Sequence, residues 1–225
     1  MNDMTAETLV NSKLVCVALN DKDQLAKLEA TFSEAPYKQP PTQPVLYYKP
    51  RNTWSRNGAE IEWAKDFDGN DVAEMAVGTS LGVVIDKETC RVSAEEALDC
   101  IGGYTIVSDF SLPEQNYYRP DIKGKCLDTT APVGPEIVAA DKIANPDALS
   151  VTISVNGERK SVFELANMER SVAELISIIS RIMTLQPGEI IAVGFAGNRV
   201  PVAKGDKVES SIEGIGTLSN TLGGA

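Results

Sequence analysis

The sequence predicts an α+β fold that is rich in β-strands, with mixed sheets and two or three helices. Short apolar or alternating segments recur along the 225 residues and are separated by turn residues, which is typical of a β-rich domain. The Asn156-Gly157 turn joins two alternating segments, 149–155 and 158–162, and predicts a hairpin. Helical spacing of apolar residues is confined to short stretches, and the stripe within 172–183 indicates the main core helix.

The first part of the chain combines strands, one helix and loops. Residues 14–19 are an apolar run that predicts a buried strand, and residues 21–32 follow with apolar positions at helical spacing. A proline-rich connector leads to a strand at 45–48, and residues 57–71 have the composition of a loop anchored by Trp63. This part therefore supplies two strands, with the helix packed by one face on the body.

The later part of the chain supplies the interior strands. Residues 81–85 are a continuous apolar run, and Ser93 with Glu96 forms a capping box before a short helix. A β-branched and aromatic run at 104–107 predicts the next strand. The remaining predicted strands lie at residues 189–193, around 205–206 and around 214–216.

The length allows one full core with a short N-terminal arm. Residues 1–12 are polar and are expected to be flexible, and residues 13–225 are expected to form a single domain. Within that domain, residues 13–80 form an N-terminal arm and connector portion and residues 81–225 form the core. We detect no internal repeat.

The charge balance limits the partners of this chain. A net charge of -11 and a pI near 4.6 produce a field that repels nucleic acids and anionic membranes, so neither is expected as a partner. The sequence has no charged-then-apolar leader and no apolar run long enough to span a bilayer, which indicates a cytoplasmic protein. An acidic ligand would need local positive charge or a metal ion.

Residue counts exclude further classes of chemistry. The sequence has no histidine, which excludes Ser-His and Cys-His nucleophilic pairs and every metal site with histidine ligands. The cysteines show no C-x-x-C spacing, so neither a zinc knuckle nor a redox dithiol is indicated, and buried free thiols are expected. These cysteines are Cys16, Cys90, Cys100 and Cys126.

Most of the polar chemistry is concentrated in residues 102–138. The strand at 104–107 delivers the carboxylate of Asp109 at its end, where a loop is expected to begin. A carboxylate is a hard oxygen ligand for a cation, and the cationic and phenolic groups that follow suit a carboxylate-rich small molecule. An ordinary solvated loop is the alternative interpretation. The groups that follow are Tyr117, Tyr118, Arg119, Lys123 and Lys125.

Several blocks resemble the fumarylacetoacetate hydrolase family in order and spacing, from about Leu14 to Leu218. These blocks read GGYTIVSDFS, KGKCLDTTAPVGP, VNGE, LQPGEIIAVG and GDKVESSIEGIGTL. The blocks VALNDKDQL, PYKQPP, KPRNT and SLPEQNYYRP are most similar to the N-terminal half of the family's two-domain decarboxylase/isomerases. The resemblance implies a mixed β-roll, a divalent metal (Mg2+ or Mn2+) and a small 2-oxo di- or tricarboxylate as substrate.

The resemblance also implies a reaction and residue roles. Expected are decarboxylation of 5-oxopent-3-ene-1,2,5-tricarboxylate and isomerisation of 2-hydroxyhepta-2,4-diene-1,7-dioate, as in 4-hydroxyphenylacetate degradation. Both steps pass through an enolate that a chelated metal stabilises. Lys125 matches the family lysine and is expected to be catalytic together with Asp109, which is also the expected metal ligand. Tyr118, Arg119 and Lys123 are expected to bind the substrate.

The expected metal site is incomplete. Asp109 is retained as the third ligand, but Gly78, Thr79 and Ser80 stand where the family has its Glu-x-Glu pair, so Gly78 and Ser80 occupy lost ligand positions. One carboxylate rarely holds magnesium, so metal binding is expected to be weak, absent or substrate-dependent. Glu74 is a further candidate ligand. The family's histidine has no counterpart, and its Gly-Thr-Pro turn reads Gly-Phe-Ala at 194–196.

Three functional hypotheses remain open. In the first, the chain is a non-catalytic pairing subunit for a catalytic homologue. In the second, it is an enzyme that uses Asp109, Lys125, Arg119 and Tyr118 with or without metal. In the third, the same enolate chemistry serves another 2-oxo acid, with hydrolysis least expected because no histidine can activate water. Homodimers and heterodimers are both compatible with the family resemblance.

Overall fold

The structure is a computed structural model that describes residues 12–114, 116–119 and 121–223. The expected flexible N-terminus therefore lies outside the described residues except for Ser12. The fold is α+β and β-rich, as the sequence predicted. The strands are β1 (Leu14–Ala18), β2 (Val45–Tyr48), β3 (Trp54–Arg56), β4 (Glu60–Glu62), β5 (Met75–Ile85), β6 (Ile101–Ser111), β7 (Ala131–Ala139), β8 (Ser150–Val155), β9 (Glu158–Glu164), β10 (Ile190–Ala192), β11 (Val200–Val202), β12 (Lys207–Ile212) and β13 (Gly216–Gly223). The helices are α1 (Lys22–Phe32), α2 (Ala94–Ala97), α3 (Ile122–Lys125) and α4 (Val172–Ile182).

The strands form two mixed sheets. In the eight-stranded sheet the order is β2-β1-β10-β5-β6-β7-β3, and β11 also pairs with β5. The five-stranded sheet has the order β4-β13-β12-β8-β9. Three pairs are parallel, namely β1 with β10, β3 with β7 and β4 with β13, and the other pairs are antiparallel. The long hairpin-like pair β5 and β6 lies near the middle of the larger sheet.

Strand β5 is central because both of its faces are covered. Every residue from Met75 to Ile85 is buried, as its nearly continuous apolar sequence requires. One core cluster joins side chains of the larger sheet, the smaller sheet and α4, including Leu81, Ile106, Leu175 and Ile212. Apolar burial on this scale is the main stabilising term of the fold. Strand β5 also crosses the expected boundary between residues 80 and 81.

The predicted helix α1 and the main core helix α4 are confirmed. Asp21 caps α1 by accepting a hydrogen bond from the Asp23 amide, and the capping box of Ser93 and Glu96 opens α2. The predicted stripe of α4 is buried at its start and middle. The sequence analysis was wrong at its end, where Ile182, the last residue of the helix, is 60% exposed.

Three local predictions need correction. The predicted loop at 57–71 contains β4, which forms because it pairs in parallel with β13. The last two strands lie at 207–212 and 216–223, so the glycines at 205 and 214 lie in turns, where their positive φ angles are tolerated. The strand predicted at 104–107 extends to Ser111, because β5 continues to pair with it. Asp109 is therefore inside a strand.

Two sequence-based expectations concern membranes and cysteines. Among the described residues, no helix combines the length and apolar character needed to cross a bilayer. The four cysteines are free thiols, of which Cys16 and Cys100 are buried. Burial, together with the nearby charge of Asp109, raises the pKa of Cys16 to about 12, so this thiol stays protonated.

Candidate functional site

The pairing of β5 with β6 places the predicted ligand positions on one face of the sheet. Asp109 lies directly opposite Gly78 in the antiparallel register. Residues directly opposite each other share a face, and so do residues two apart along a strand, so Ser80 is on that same face. The sequence prediction that residues 78, 80 and 109 belong together is therefore consistent with their arrangement.

Four side chains surround the carboxylate of Asp109, which is 0% exposed. The Lys49 ammonium lies 2.7 Å from Oδ1 and forms an ion pair with it that lacks hydrogen-bond geometry. The Arg199 guanidinium donates to Oδ2 at 2.7 Å, and the Tyr47 hydroxyl donates to the same oxygen at 2.6 Å. Lys125 Nζ is 3.4 Å from Oδ2. Both carboxylate oxygens are thus occupied by protein groups.

The surrounding charges determine the protonation of this cluster. Burial by itself would raise the pKa of Asp109, but the charges of Arg199, Lys125 and Lys49 hold that pKa well below its usual range. Burial lowers the pKa of Lys125, while the charge of Asp109 partly offsets this effect. Burial raises the pKa of Tyr47 well above its ordinary value, so the phenol remains a donor. Asp109 is therefore ionised throughout the physiological range.

Lys49 and Tyr47 enter the site from the N-terminal portion of the chain. Tyr47 belongs to β2, and Lys49 follows this strand with its side chain fully buried. The Lys49 ammonium also donates to the carbonyl oxygens of Lys125, at 2.6 Å, and Phe110, at 3.3 Å. These donations satisfy a charge that would otherwise be costly to bury. Sequence reasoning missed both residues as site residues, although the KPRNT block carrying Lys49 contributed to the family resemblance.

Arg199 is the third missed residue. It precedes β11, whose pairing with β5 sets Val200 opposite Val77 and so brings Arg199 to the site. One guanidinium nitrogen donates to the backbone oxygen of Asp109 at 2.9 Å and to Ser111 Oγ at 3.1 Å. The departure from the family turn at 194–196 was the one sequence signal near this residue.

The donor set does not fit a divalent metal. Gly78 has no side chain, and Ser80 Oγ accepts a hydrogen bond from the Gly194 amide at 3.1 Å while donating to a carbonyl oxygen. Asp109 is occupied by cations, and Glu74 is exposed on the cavity wall. Throughout the described ranges, no group of three or more Asp, Glu, Cys or His side chains could hold a metal ion. A magnesium or manganese ion needs free oxygen ligands, which this site does not offer.

Two neighbouring cavities open beside this cluster. The first, of about 240 Å³, is lined by Arg199, Phe195, Gln24 and Glu74 among others. The second, of about 540 Å³, is lined by Lys125 and by aromatic and aliphatic side chains. Ala18, Glu114 and Tyr117 line both cavities and lie between them. The ion cluster therefore forms part of the wall of a region that a small organic molecule could enter.

Tyr117 links this region to the N-terminal helix α1, and Glu114 lies close to Tyr117 and Lys125. Gln24 of α1 donates to the Tyr117 hydroxyl at 2.8 Å, and the Tyr117 amide donates to the hydroxyl of Tyr37 at 2.9 Å. Burial raises the pKa of Glu114, and burial with the nearby Glu114 charge raises the pKa of Tyr117 to about 12. Glu114 Oε2 is 3.9 Å from Lys125 Nζ. The loop after β6 is thus attached to α1 rather than simply solvated.

The three predicted substrate-binding residues lie at the rim. Tyr118 is 58% exposed and packs edge-on against Tyr37. Arg119 is exposed and lines the second cavity together with Tyr118 and Lys125. Lys123 is exposed too, but its ammonium lies 4.5 Å from the centre of the Phe67 ring and lines another pocket. Among the predicted catalytic and substrate-binding residues, the side chains of Lys125 and Asp109 are in direct contact.

Comparisons with known proteins agree with this architecture. The family model described as "Fumarylacetoacetate (FAA) hydrolase C-terminal" matches residues 13–223. The 4-hydroxyphenylacetate degradation bifunctional isomerase/decarboxylase of Escherichia coli is 36% identical over 209 residues, which cover 93% of this chain and 46% of that protein. The chain thus spans about half the length of this curated relative.

Solved structures give the same fold. The 2-hydroxyhepta-2,4-diene-1,7-dioate isomerase of Mycobacterium marinum is 30% identical, with a TM-score of 0.76 over 95% of this chain and 75% of that chain. The fumarylpyruvate hydrolase of Pseudomonas aeruginosa, solved in complex with Mn2+ and pyruvate, is 23% identical, with a TM-score of 0.78 over 95% of this chain and 90% of that chain. Similarity at this latter level establishes the fold alone.

Proposed function

Since the chain belongs to the fumarylacetoacetate hydrolase family, we propose that it serves isomerase/decarboxylase chemistry on 2-oxo acids in cytoplasmic aromatic catabolism. Within that chemistry, it is a subunit of a 5-oxopent-3-ene-1,2,5-tricarboxylate decarboxylase/2-hydroxyhepta-2,4-diene-1,7-dioate isomerase system, and its own metal centre is degenerate. Support comes from the relative in Escherichia coli, which is named for 4-hydroxyphenylacetate degradation, and from the isomerase of Mycobacterium marinum.

One observation carries the proposal. Asp109, the retained ligand, is enclosed by Lys49, Lys125 and Arg199 instead of facing other carboxylates. A divalent ion at this point would meet three positive charges and a single carboxylate that is already paired. The residues of this chain therefore do not supply the electron-withdrawing centre that the family chemistry requires.

A pairing role follows from what the chain retains. It keeps the two sheets and the buried core of the family fold, while its site does not fit the metal ion. A domain of this kind contributes by forming a pseudo-symmetric dimer with a catalytic copy and supporting the active site of that copy. In this arrangement the Mg2+ or Mn2+ ion and the 2-oxo tricarboxylate bind to the partner, which is either a diverged homologue or a second unit of a longer protein.

The test compares three preparations: this chain, a homologue that retains the Glu-x-Glu pair, and their mixture. Turnover of the tricarboxylate is measured with and without Mg2+, and complex formation by size-exclusion chromatography with light scattering. We expect no turnover by this chain alone, a stable mixed dimer, and a faster or more stable homologue in the mixture. A chain that neither binds the homologue nor changes its rate would refute the pairing role.

A second candidate is that the chain itself is an enzyme. The supporting observation is the 540 Å³ cavity that Lys125, Tyr118 and Arg119 line together. In this candidate Lys125 donates to an enolate oxygen, Arg119 binds a distal carboxylate and Tyr118 donates a further hydrogen bond. The substrate would be this tricarboxylate or another 2-oxo acid such as oxaloacetate, which would tautomerise.

Arg119→Ala separates the two candidates. Because Arg119 is exposed, its removal should leave the fold intact. In the enzyme candidate the KM for a dicarboxylate rises while the folded fraction is unchanged, whereas in the pairing candidate the rate of the mixture is unaffected. Arg159→Ala on β9 is the matched control, since Arg159 is also exposed and lies on the edge strand of the smaller sheet.

A further inference from the structure

Arg199 is built into the site rather than lying on its surface. Its side chain is 16% exposed, and it donates to three oxygens on β6: the backbone and Oδ2 atoms of Asp109 and Ser111 Oγ. The Phe195 ring covers it, with the guanidinium carbon 5.2 Å from the ring centre. A planar fork with several fixed donors suits this position better than a flexible ammonium would.

The guanidinium fills the space into which a side chain at position 78 would project. A Cβ atom added to Gly78 would lie 3.4 Å from Arg199 Cζ, 3.4 Å from Nη1 and 3.2 Å from Phe195 Cδ1. Gly78 is opposite Asp109, so a longer acidic side chain at position 78 would have to enter the volume that the guanidinium occupies. Glycine at this position and arginine at 199 are therefore sterically matched.

The charge of this region also opposes an additional cation. Lys49, Lys125 and Arg199 bring three positive charges to one fully buried carboxylate, and Glu114 is the nearby second acid. Buried charges interact strongly because water does not screen them. Arg199 carries its positive charge here because a guanidinium group keeps its proton in proteins.

We infer that Arg199 is the resident cation of this site: its guanidinium takes the place beside Asp109 that a divalent ion would need, and it excludes such ions. This inference extends the degenerate metal centre of the proposed function by naming the group that replaced the metal. The guanidinium also ties the segment before β11 to β6 through its three acceptors. It is a positioning residue in that it keeps the ionised Asp109 in place.

The inference is tested by removing the guanidinium and supplying it again. In Arg199→Ala, the truncated side chain leaves a space continuous with the 240 Å³ cavity that Arg199 lines. We expect a lower Tm than wild type, and partial recovery of that Tm in millimolar ethylguanidinium but not in equal ethylammonium. Arg170→Ala is the control, because the Arg170 guanidinium donates to Thr42 O on the exposed surface, so its Tm should not respond to ethylguanidinium. A response of Arg199→Ala equal to that of the control would overturn the inference.

Mn2+ binding gives an independent readout on the wild-type chain. Electron paramagnetic resonance of free Mn2+ should show no loss of signal when wild-type protein is added, and the Tm should not change with Mn2+. Stoichiometric Mn2+ binding that Asp109→Asn abolishes would overturn the inference. Such a result would leave pairing with a homologue open, whereas failure to pair would remove the proposed function without affecting these Mn2+ results.

A second pair of variants covers the case in which Arg199→Ala does not fold. Arg199→Lys keeps a positive charge beside Asp109, and Arg199→Gln keeps part of the hydrogen bonding without the charge. If the resident cation is what the site requires, the lysine variant has the higher Tm of the two. Equal Tm values, or a higher value for glutamine, would contradict the inference.

Discussion

The two faces of the β5–β6 pair differ in how they bury polar groups. On one face, Asp109 is surrounded by cations and lies next to the two cavities. On the other face, the hydroxyls of Thr79 and Ser108 lie 3.0 Å apart, and both reach Ser210 of β12, at 2.7 Å and 3.0 Å. The second group is a closed triangle of neutral hydroxyls that joins the two sheets.

The difference supports our proposal that the Asp109 cluster belongs to the functional site, while the hydroxyl triangle holds the two sheets together. Three hydroxyls can satisfy one another within a dry core, because each donates once and accepts once. A buried carboxylate with three cations costs more free energy to bury, because each charge needs an oppositely charged or hydrogen-bonding partner in good geometry. The charged arrangement lies on the face that meets the two cavities.

Asp109→Ala is expected to have the largest effect on stability, because it removes the carboxylate at the centre of the charged cluster. It leaves Lys49 and Arg199 without their carboxylate, and loss of one partner of a buried ion pair costs about 3–5 kcal/mol. We expect a loss of unfolding free energy of that size in urea denaturation.

Asp71→Ala is the matched control. Asp71 pairs with Lys65 and Lys204, but the three side chains are 39–52% exposed to water, which screens the pairs. We expect its stability to remain close to that of wild type. Equal losses for the two variants would mean that burial does not distinguish the Asp109 cluster.

The next largest effect is expected in the pH dependence of stability, which reports the depressed pKa of Asp109. The pKa of Asp109 is held well below its usual value in the folded chain, whereas in the unfolded chain it is near 4. The stabilisation from Asp109 is therefore complete above about pH 4 and is lost as the pH falls below this value. Below pH 4 the unfolding free energy of wild type should fall more steeply with pH than that of Asp109→Asn. The difference in slope should be at most that caused by the binding of about one additional proton on unfolding. Parallel curves would contradict the depressed pKa.

Much of the fold could be predicted from local sequence, because its signals are local. The Asn156-Gly157 hairpin and the caps at Asp21 and Ser93 depend on residues a few positions apart. Strand β4 was missed because it forms by pairing with β13, which lies far away in the sequence. The end of β6 was misplaced for the same reason, since β5 extends the ladder past Asp109.

A smaller effect is expected at the hydroxyl triangle. Thr79→Val removes one hydroxyl at nearly constant volume, and Ser108 and Ser210 can still bond to each other. We expect a loss of about 1–2 kcal/mol, in line with a single buried hydrogen bond. Ser211→Ala is the control, because its hydroxyl pairs with Thr217 at the exposed surface, and it should change stability by less than about 0.5 kcal/mol. A Thr79→Val loss as large as that of Asp109→Ala would remove the distinction between the faces.

The smallest effect on stability is expected at the rim. Arg119→Ala and Lys123→Ala remove exposed side chains, so each should change the unfolding free energy by no more than about 0.5 kcal/mol. The two differ in binding, because Arg119 lines the cavity shared with Lys125 and Lys123 does not. If this chain is itself an enzyme, calorimetric titration with a 2-oxo dicarboxylate should show weaker binding for the Arg119 variant alone. Equal affinities would show that this rim does not contact the ligand.

The candidate site was only half predictable. Asp109 and Lys125 are 16 residues apart in one conspicuous stretch, and they are in contact. Tyr47 and Arg199 lie 62 and 90 residues from Asp109, and only the strand order brings them together. The sequence marked two ligand positions as lost, but the identity of the replacing cation depends on the β11–β5 register.

The depth of the ion cluster also determines how this acidic chain should respond to ionic strength. The whole chain has a net charge of -11, so the charges on its surface repel one another over about 8 Å in physiological salt, and added salt weakens this repulsion. The carboxylate of Asp109 is fully buried, so added salt screens its ion pairs far less than it screens the charges on the surface. Added salt should therefore reduce the repulsion between surface charges without weakening the buried ion pairs of Asp109. We expect the unfolding free energy of this protein to rise, not fall, in a salt-rich medium.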